Sequence, residues 1–139
     1  MSIYLGVLII LLAHFMADFP FQPHSIATKK SYSIGALIIH IFTYTTVFFI
    51  LFCSYGIILN EFWTFTITLK HWIQIAIGIS LVNGILHYLI DYVTSKITRF
   101  FWTTEQWRNF FLTIGFDQLL HTGLLIFSYA QMLSNLKYI

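Results

Sequence analysis

Charge is what this sequence has least of. Only 9% of its 139 residues are charged, whereas 58% are hydrophobic; a soluble domain carries about 25% charged residues. An ordinary soluble domain is thereby excluded, and the chain reads as a single transmembrane domain over residues 1–139. The formal charge of +2 is too small a surplus for a nucleic-acid partner. There is one cysteine, Cys53, so no internal disulfide can form and the redox compartment is unreadable; it is expected as small apolar filler. The only prolines are Pro20 and Pro23, which stop a first helix because proline lacks the backbone donor and clashes with the preceding turn. The first apolar run lacks a basic leader and a small-residue cleavage site and carries His14 and Asp18, so it is expected to be a retained span rather than a signal peptide.

The apolar runs predict an all-α integral membrane protein, a bundle of four transmembrane helices. They cover Ile3 to Phe19, Ser33 to Leu59, Leu69 to Thr94 and Trp107 to Leu133, near or above the roughly 20 residues needed to cross hydrocarbon. Asn60 and Glu61 end the second run. Ser95 to Gln106, with Lys96, Arg99 and Glu105, is expected as the loop between the third and fourth. Trp63, Trp72, Trp102 and Trp107 lie at run ends and predict an aromatic belt at the headgroup level. Lys29, Lys30, Lys96, Arg99 and Arg108 fall on one side, with only Lys70 and Lys137 opposite. The positive-inside rule then places the first and third loops in the cytoplasm and both termini outside. Gly78 and Gly84, with Ser80, permit close helix approach within the chain or between chains, so a homo-oligomer is a reasonable expectation.

Against this apolar background the ionisable residues are ordered. His14 and Asp18, His87 and Asp91, and Asp117 and His121 are each four apart inside a predicted span, and they use every aspartate in the chain. Four residues bring two side chains to one face of a helix. Ionisable groups in hydrocarbon are costly and mark functional sites by default. Direction sharpens the pattern. The first and third spans run the same way and read His then Asp; the fourth runs the opposite way and reads Asp then His. All three aspartates therefore fall nearer the basic side, with the histidines a turn deeper, and His40 joins them from the second span.

Seven candidate metal ligands result: His14, Asp18, His40, His87, Asp91, Asp117 and His121. Imidazole with carboxylate suits zinc, manganese or iron better than calcium. Three carboxylates and a bridging hydroxide would neutralise two divalent ions, so a two-metal site is expected, as helix bundles commonly build. Gln22, Asn83, Gln118 and Thr122 are candidates for orienting the ligands. His24, in a loop, and His71, at the opposite face, are set aside. Two metal-free readings use the same residues: His–Asp hydrogen bonds that hold the bundle together, and a proton relay.

The chain also shows a weak internal repeat. His14-Phe-Met-Ala-Asp18-Phe19 matches His87-Tyr-Leu-Ile-Asp91-Tyr92 in kind, and the following helices align His40 with His121 and Ala36 with Asp117. Two related helical hairpins would give this pattern.

These motifs carry a resemblance. Ala13-His-Phe-Met-Ala-Asp18-Phe-Pro-Phe-Gln22, the isolated His40, Leu86-His-Tyr-Leu-Ile-Asp91-Tyr and Phe116-Asp-Gln-Leu-Leu-His121 resemble the small bacterial membrane family catalogued as domain of unknown function 3307. More loosely, they are similar to membrane proteins labelled metal-dependent hydrolases. The resemblance implies a bacterial inner membrane but supplies no substrate. The functional expectation is a hydrolase acting on an ester or phosphoester of a lipid or lipid-linked substrate. In it, metal-activated hydroxide attacks and one of Asp18, Asp91 and Asp117 takes the proton. The alternatives are a transporter or metal-handling protein with the same cluster as a transit site, and a metal-stabilised subunit without chemistry.

Overall fold

In a computed structural model of the chain, residues 3–62 and 68–136 are described. They form five helices: α1 (Ile3–Asp18), α2 (His24–Ala27), α3 (Ile34–Phe62), α4 (Leu69–Thr103) and α5 (Trp107–Leu136). No strand occurs among the described residues. Trp63 and Lys137 lie outside them.

Each boundary has a local cause. Pro20 cannot continue α1, and the chain turns through Phe19–Gln22 with Phe21 N–H donating to the Met16 carbonyl. The Ser33 hydroxyl accepts from Ala36 N–H at the start of α3, and the Thr68 hydroxyl accepts from His71 N–H at the start of α4; both satisfy donors that a helix leaves free at its first turn. Between α4 and α5 the turn is tight, with Glu105 at φ 56°.

Among the described residues three helices, α3, α4 and α5, are long and apolar enough to cross a membrane, not four. The first helix is apolar but has 16 residues, about 24 Å of rise against a hydrocarbon core of about 30 Å. The expected loop from Ser95 to Gln106 is also corrected. The fourth helix runs 35 residues, to Thr103. Nothing between Ser95 and Thr103 breaks a helix, and the cations find aromatic partners: Lys96 Nζ lies 3.4 Å from the ring centre of Tyr92 on the same helix, and the Arg99 guanidinium 4.7 Å from that of Tyr32, before α3. A change of polarity here is not a change of secondary structure.

The interior has two zones. One is aromatic: Tyr44, Phe48, Phe52 and Tyr55 form a stripe on one face of α3 and are buried with Ile10, Trp72, Leu125 and Tyr129. Trp72 therefore belongs to the core and not to an interfacial belt; its ring stacks on Phe52 at 5.2 Å. Trp102 and Trp107 do remain exposed, edge to face across the α4–α5 turn at 5.1 Å. The second zone is polar and is the site described below. Much of the outer surface is Leu, Ile and Phe.

Close helix approach depends on Gly56 and Gly84. A Cβ at Gly56 would overlap the Trp72 indole, and one at Gly84 would meet the Thr45 hydroxyl, whereas Gly78 faces open space. Overpacking a well-filled contact costs about 1–3 kcal/mol. Gly56→Leu is therefore expected to lower the unfolding midpoint in detergent, with Gly78→Leu close to wild type. Equal effects of the two variants would contradict this packing.

Candidate metal centre

Asp18 closes α1, His40 lies two turns into α3, His87 and Asp91 share one face of α4, and Asp117 and His121 share one face of α5. All face one interior region. Asp18, His40, His87, Asp91 and His121 are each at most 4% exposed, so their polar atoms must find partners within the protein.

The distances define a cage. His40 Nε2 lies 3.0 Å from His87 Nε2, 3.2 Å from Asp18 Oδ1 and 3.1 Å from Asp91 Oδ2. His87 Nε2 lies 3.5 Å from Asp18 Oδ1 and 3.6 Å from Asp91 Oδ2. Ligands about 2.0–2.1 Å from a tetrahedral ion stand about 3.3 Å apart, so these spacings fit one. Asp18, His40 and His87 form one group able to hold an ion, and His87, Asp91 and His121 form another. Because His87 is common to both, the groups are halves of one cluster. Two of its donors, Asp18 Oδ1 and His121 Nε2, are buried without a hydrogen-bond partner, as expected of atoms whose lone pairs suit a cation better than each other.

The surrounding groups orient the ligands. The Gln22 side-chain amide meets His40 Nδ1 at 2.8 Å. Gln22 Nε2–H donates to His40 Nδ1 and fixes the orientation of the ring. Gln22 reaches His40 from the turn after α1, not from a continuation of that helix. Gln118 Nε2 donates to Asp117 Oδ2 at 3.1 Å and to Asp18 Oδ2 at 3.4 Å. Thr94 Oγ1 donates to Asp117 Oδ1 at 2.5 Å. The Asn83 amide instead donates to the Ile79 carbonyl one turn back. Thr122, half-buried, makes no hydrogen bond to the cluster among the described residues. His14 stands to one side: its Nδ1 is 3.1 Å from the Tyr44 hydroxyl, and its ring is 5.5 Å from that of His121. Asp117 is also peripheral, 3.4 Å from His121 Nε2.

Lys30 and Tyr44 complete the cluster, and neither was among the candidate ligands. Lys30 Nζ lies 2.7 Å from Asp91 Oδ2. Burial draws its pKa down, but Asp91 and Asp18 outweigh this and hold it above the ordinary lysine value, so the ammonium counts as one positive charge. The Tyr44 ring stacks on His87 at 4.0 Å, and His87 stacks on His121 at 4.0 Å. Tyr44 was within reach of sequence reasoning, four residues after His40 on the same face. Lys30 carried no local signal, since nothing in a loop sequence says that the lysine folds inward.

On the basic side lies a cavity of ≈ 600 Å³. Asp18, Asp91 and Asp117 line it together with Lys30, Ser95 and Arg99, and no histidine is among the lining residues. The aspartates thus meet the cavity and the histidines stand behind them, the layering expected from chain direction. His24 and His71 are exposed and away from the cluster.

The family described as protein of unknown function DUF3307 matches residues 7–139. The chain belongs to this family. No curated protein and no solved structure matches the chain. The DUF3307 match spans all seven candidate ligands as well as Lys30 and Tyr44.

Lys30→Met would leave Asp91 buried without its cation, and breaking such a pair costs about 3–5 kcal/mol. Thermal unfolding in detergent is expected to fall accordingly, and added zinc should recover more stability in the variant than in the wild type. An unchanged midpoint would mean that the ion pair contributes nothing.

Proposed function

We propose that this chain is an intramembrane metal-dependent hydrolase acting on an ester or phosphoester of a lipid or lipid-linked substrate. The observation that carries the reading is the two linked three-donor groups, Asp18–His40–His87 and His87–Asp91–His121, at metal-ligand spacing, with Asp18 and Asp91 bordering a cavity. In this reading α1 joins α3, α4 and α5 within the bilayer of a bacterial inner membrane, and the cavity faces the cytoplasmic side, where Lys29, Lys30, Lys96, Arg99 and Arg108 gather. A path from both sides, as a transporter requires, is disfavoured by the column Tyr44, Phe48 and Phe52, each at most 2% exposed.

Lys30 alters the charge argument. Three carboxylates and one ammonium leave −2, which a single divalent ion neutralises without hydroxide. We therefore favour one ion over two, held by Asp18, His40, His87 and Asp91, with imidazole and carboxylate donors suiting zinc, manganese or iron. Two ions would have to share the His87 ring.

A bound ion would supply Lewis acidity toward the substrate's acyl or phosphoryl oxygen and lower the pKa of water. The chain's own residues do the rest. Asp117 stands at the cavity outside the four-donor cage and contacts His121, so it is positioned to take the proton from attacking water. Oxygen from that water bonds to the acyl carbon or phosphorus, the ester bond breaks, and the proton returns from the Asp117–His121 pair to the leaving oxygen. Lys30 offsets negative charge gathered at the cavity floor.

Elemental analysis of detergent-purified protein is expected to give about one transition-metal ion per chain, lost in His40→Ala and Asp91→Ala and retained in His24→Ala. On a panel of phospholipids and polyprenyl phosphates, Asp117→Asn is expected to keep the metal and lose about 10²-fold or more of turnover. Wild-type protein free of stoichiometric metal after chelator-free handling would remove this reading. Bound metal with no turnover on the panel would favour a structural metal centre.

A further inference from the structure

A second hollow, ≈ 620 Å³ in volume, opens between α4 and α5. Its walls are two stripes at helical spacing, Leu89, Val93 and Ile97 on α4 and Leu112, Phe116 and Leu120 on α5. Along α4 it extends from Leu89 to Phe101, about 18 Å at 1.5 Å per residue. One leaflet of hydrocarbon is about 15 Å deep, half of a core of about 30 Å. The groove therefore has the length of one acyl chain lying in one leaflet.

The groove and the polar cavity meet at Thr94, which lines both and whose hydroxyl donates to Asp117. On the cavity side, one turn separates Ser95 from Arg99, and both line the wall. Ser95 Oγ is buried without a hydrogen-bond partner. The Arg99 guanidinium lies over Tyr32 and has no carboxylate partner among the described residues. A guanidinium paired with an aromatic ring rather than a carboxylate keeps its N–H donors for a phosphate oxygen.

We infer that the α4–α5 groove and the cavity together bind one anionic phospholipid, its acyl chain in the groove and its phosphate between Arg99 and Ser95, with Thr94 at the junction. The orientation rests on the hydrolase reading, because it brings the phosphate end to the Asp117 side of the partition. Binding itself does not depend on turnover. Apolar contact along the groove supplies affinity in proportion to the chain length buried, and Arg99 selects the charged headgroup.

The test is photocrosslinking of the purified full chain with a phosphatidic acid that carries a diazirine on its acyl chain, mapped by peptide mass spectrometry. Label is expected on Val93, Ile97, Leu112 and Phe116 above the level on the exposed face of α3 around Ile38. Unlabelled phosphatidic acid should compete, whereas diacylglycerol and inorganic phosphate at the same concentration should not. Ile97→Trp and Leu112→Trp fill the groove and are each expected to abolish its labelling, while Ile38→Trp leaves it unchanged; thermal unfolding verifies that each variant is folded. Arg99→Gln is expected to weaken competition by phosphatidic acid about tenfold, the loss of one charge-assisted hydrogen bond. Even labelling of α3 and the groove, or groove labelling that survives both tryptophan variants, would overturn the proposal. Competition by diacylglycerol as strong as by phosphatidic acid would overturn the headgroup assignment. Loss of hydrolysis alone would not touch either result, so failure here is distinct from failure of the hydrolase reading.

Discussion

Lys30 to Asp91 is the contact on which the polar half of the molecule depends. Three carboxylates enclosed among apolar helices carry a desolvation cost that each must offset with a cation or a donor. Lys30 meets Asp91 at 2.7 Å, Thr94 and Gln118 donate to Asp117, and Gln118 also reaches Asp18. Holding Lys30 inward fixes the segment between α2 and α3 over the end of the bundle. That segment in turn supplies Thr28 and Tyr32 to the cavity wall. Charge neutrality and cavity shape therefore have one cause.

The same constraint arranges the helices. A histidine a turn deeper than its aspartate can face a shared centre only if the motif reverses when the chain reverses, as it does between α4 and α5. Aromatic residues then close the deep side. Tyr44 belongs to both zones, hydrogen-bonding His14 and stacking on His87 while its neighbours on the stripe pack against Trp72 and Tyr129.

Much of this was legible in the sequence because the signals are local. Spacing of four placed each His–Asp pair on one face, chain direction set the two layers, and Pro20 marked the end of α1. What was misread depended on contacts made across the fold. Lys96 and Arg99 looked like loop residues, yet α4 carries them on to Thr103 because tyrosine rings accommodate both cations. Trp72 looked interfacial by position, yet Gly56 leaves room for its indole in the core. Asn83 lay one turn from His87, but its amide bonds its own helix. Lys30 turned inward with no sequence mark at all, and its ammonium joins a charge balance that the sequence drew from the carboxylates alone.

The aromatic stripe on α3 has a consequence for the membrane as a whole. Protons move through proteins along unbroken files of hydrogen bonds. From Tyr44 to Tyr55 the buried stripe offers only the Phe48 and Phe52 rings, a gap of about 16 Å along the helix. Placed across an energised bilayer, a knot of histidines and carboxylates open to one side would be an obvious place for a leak. With the Phe48 and Phe52 rings filling that stretch of α3, a cluster so placed would hold its proton-exchanging groups without a hydrogen-bonded file along the stripe to the other side.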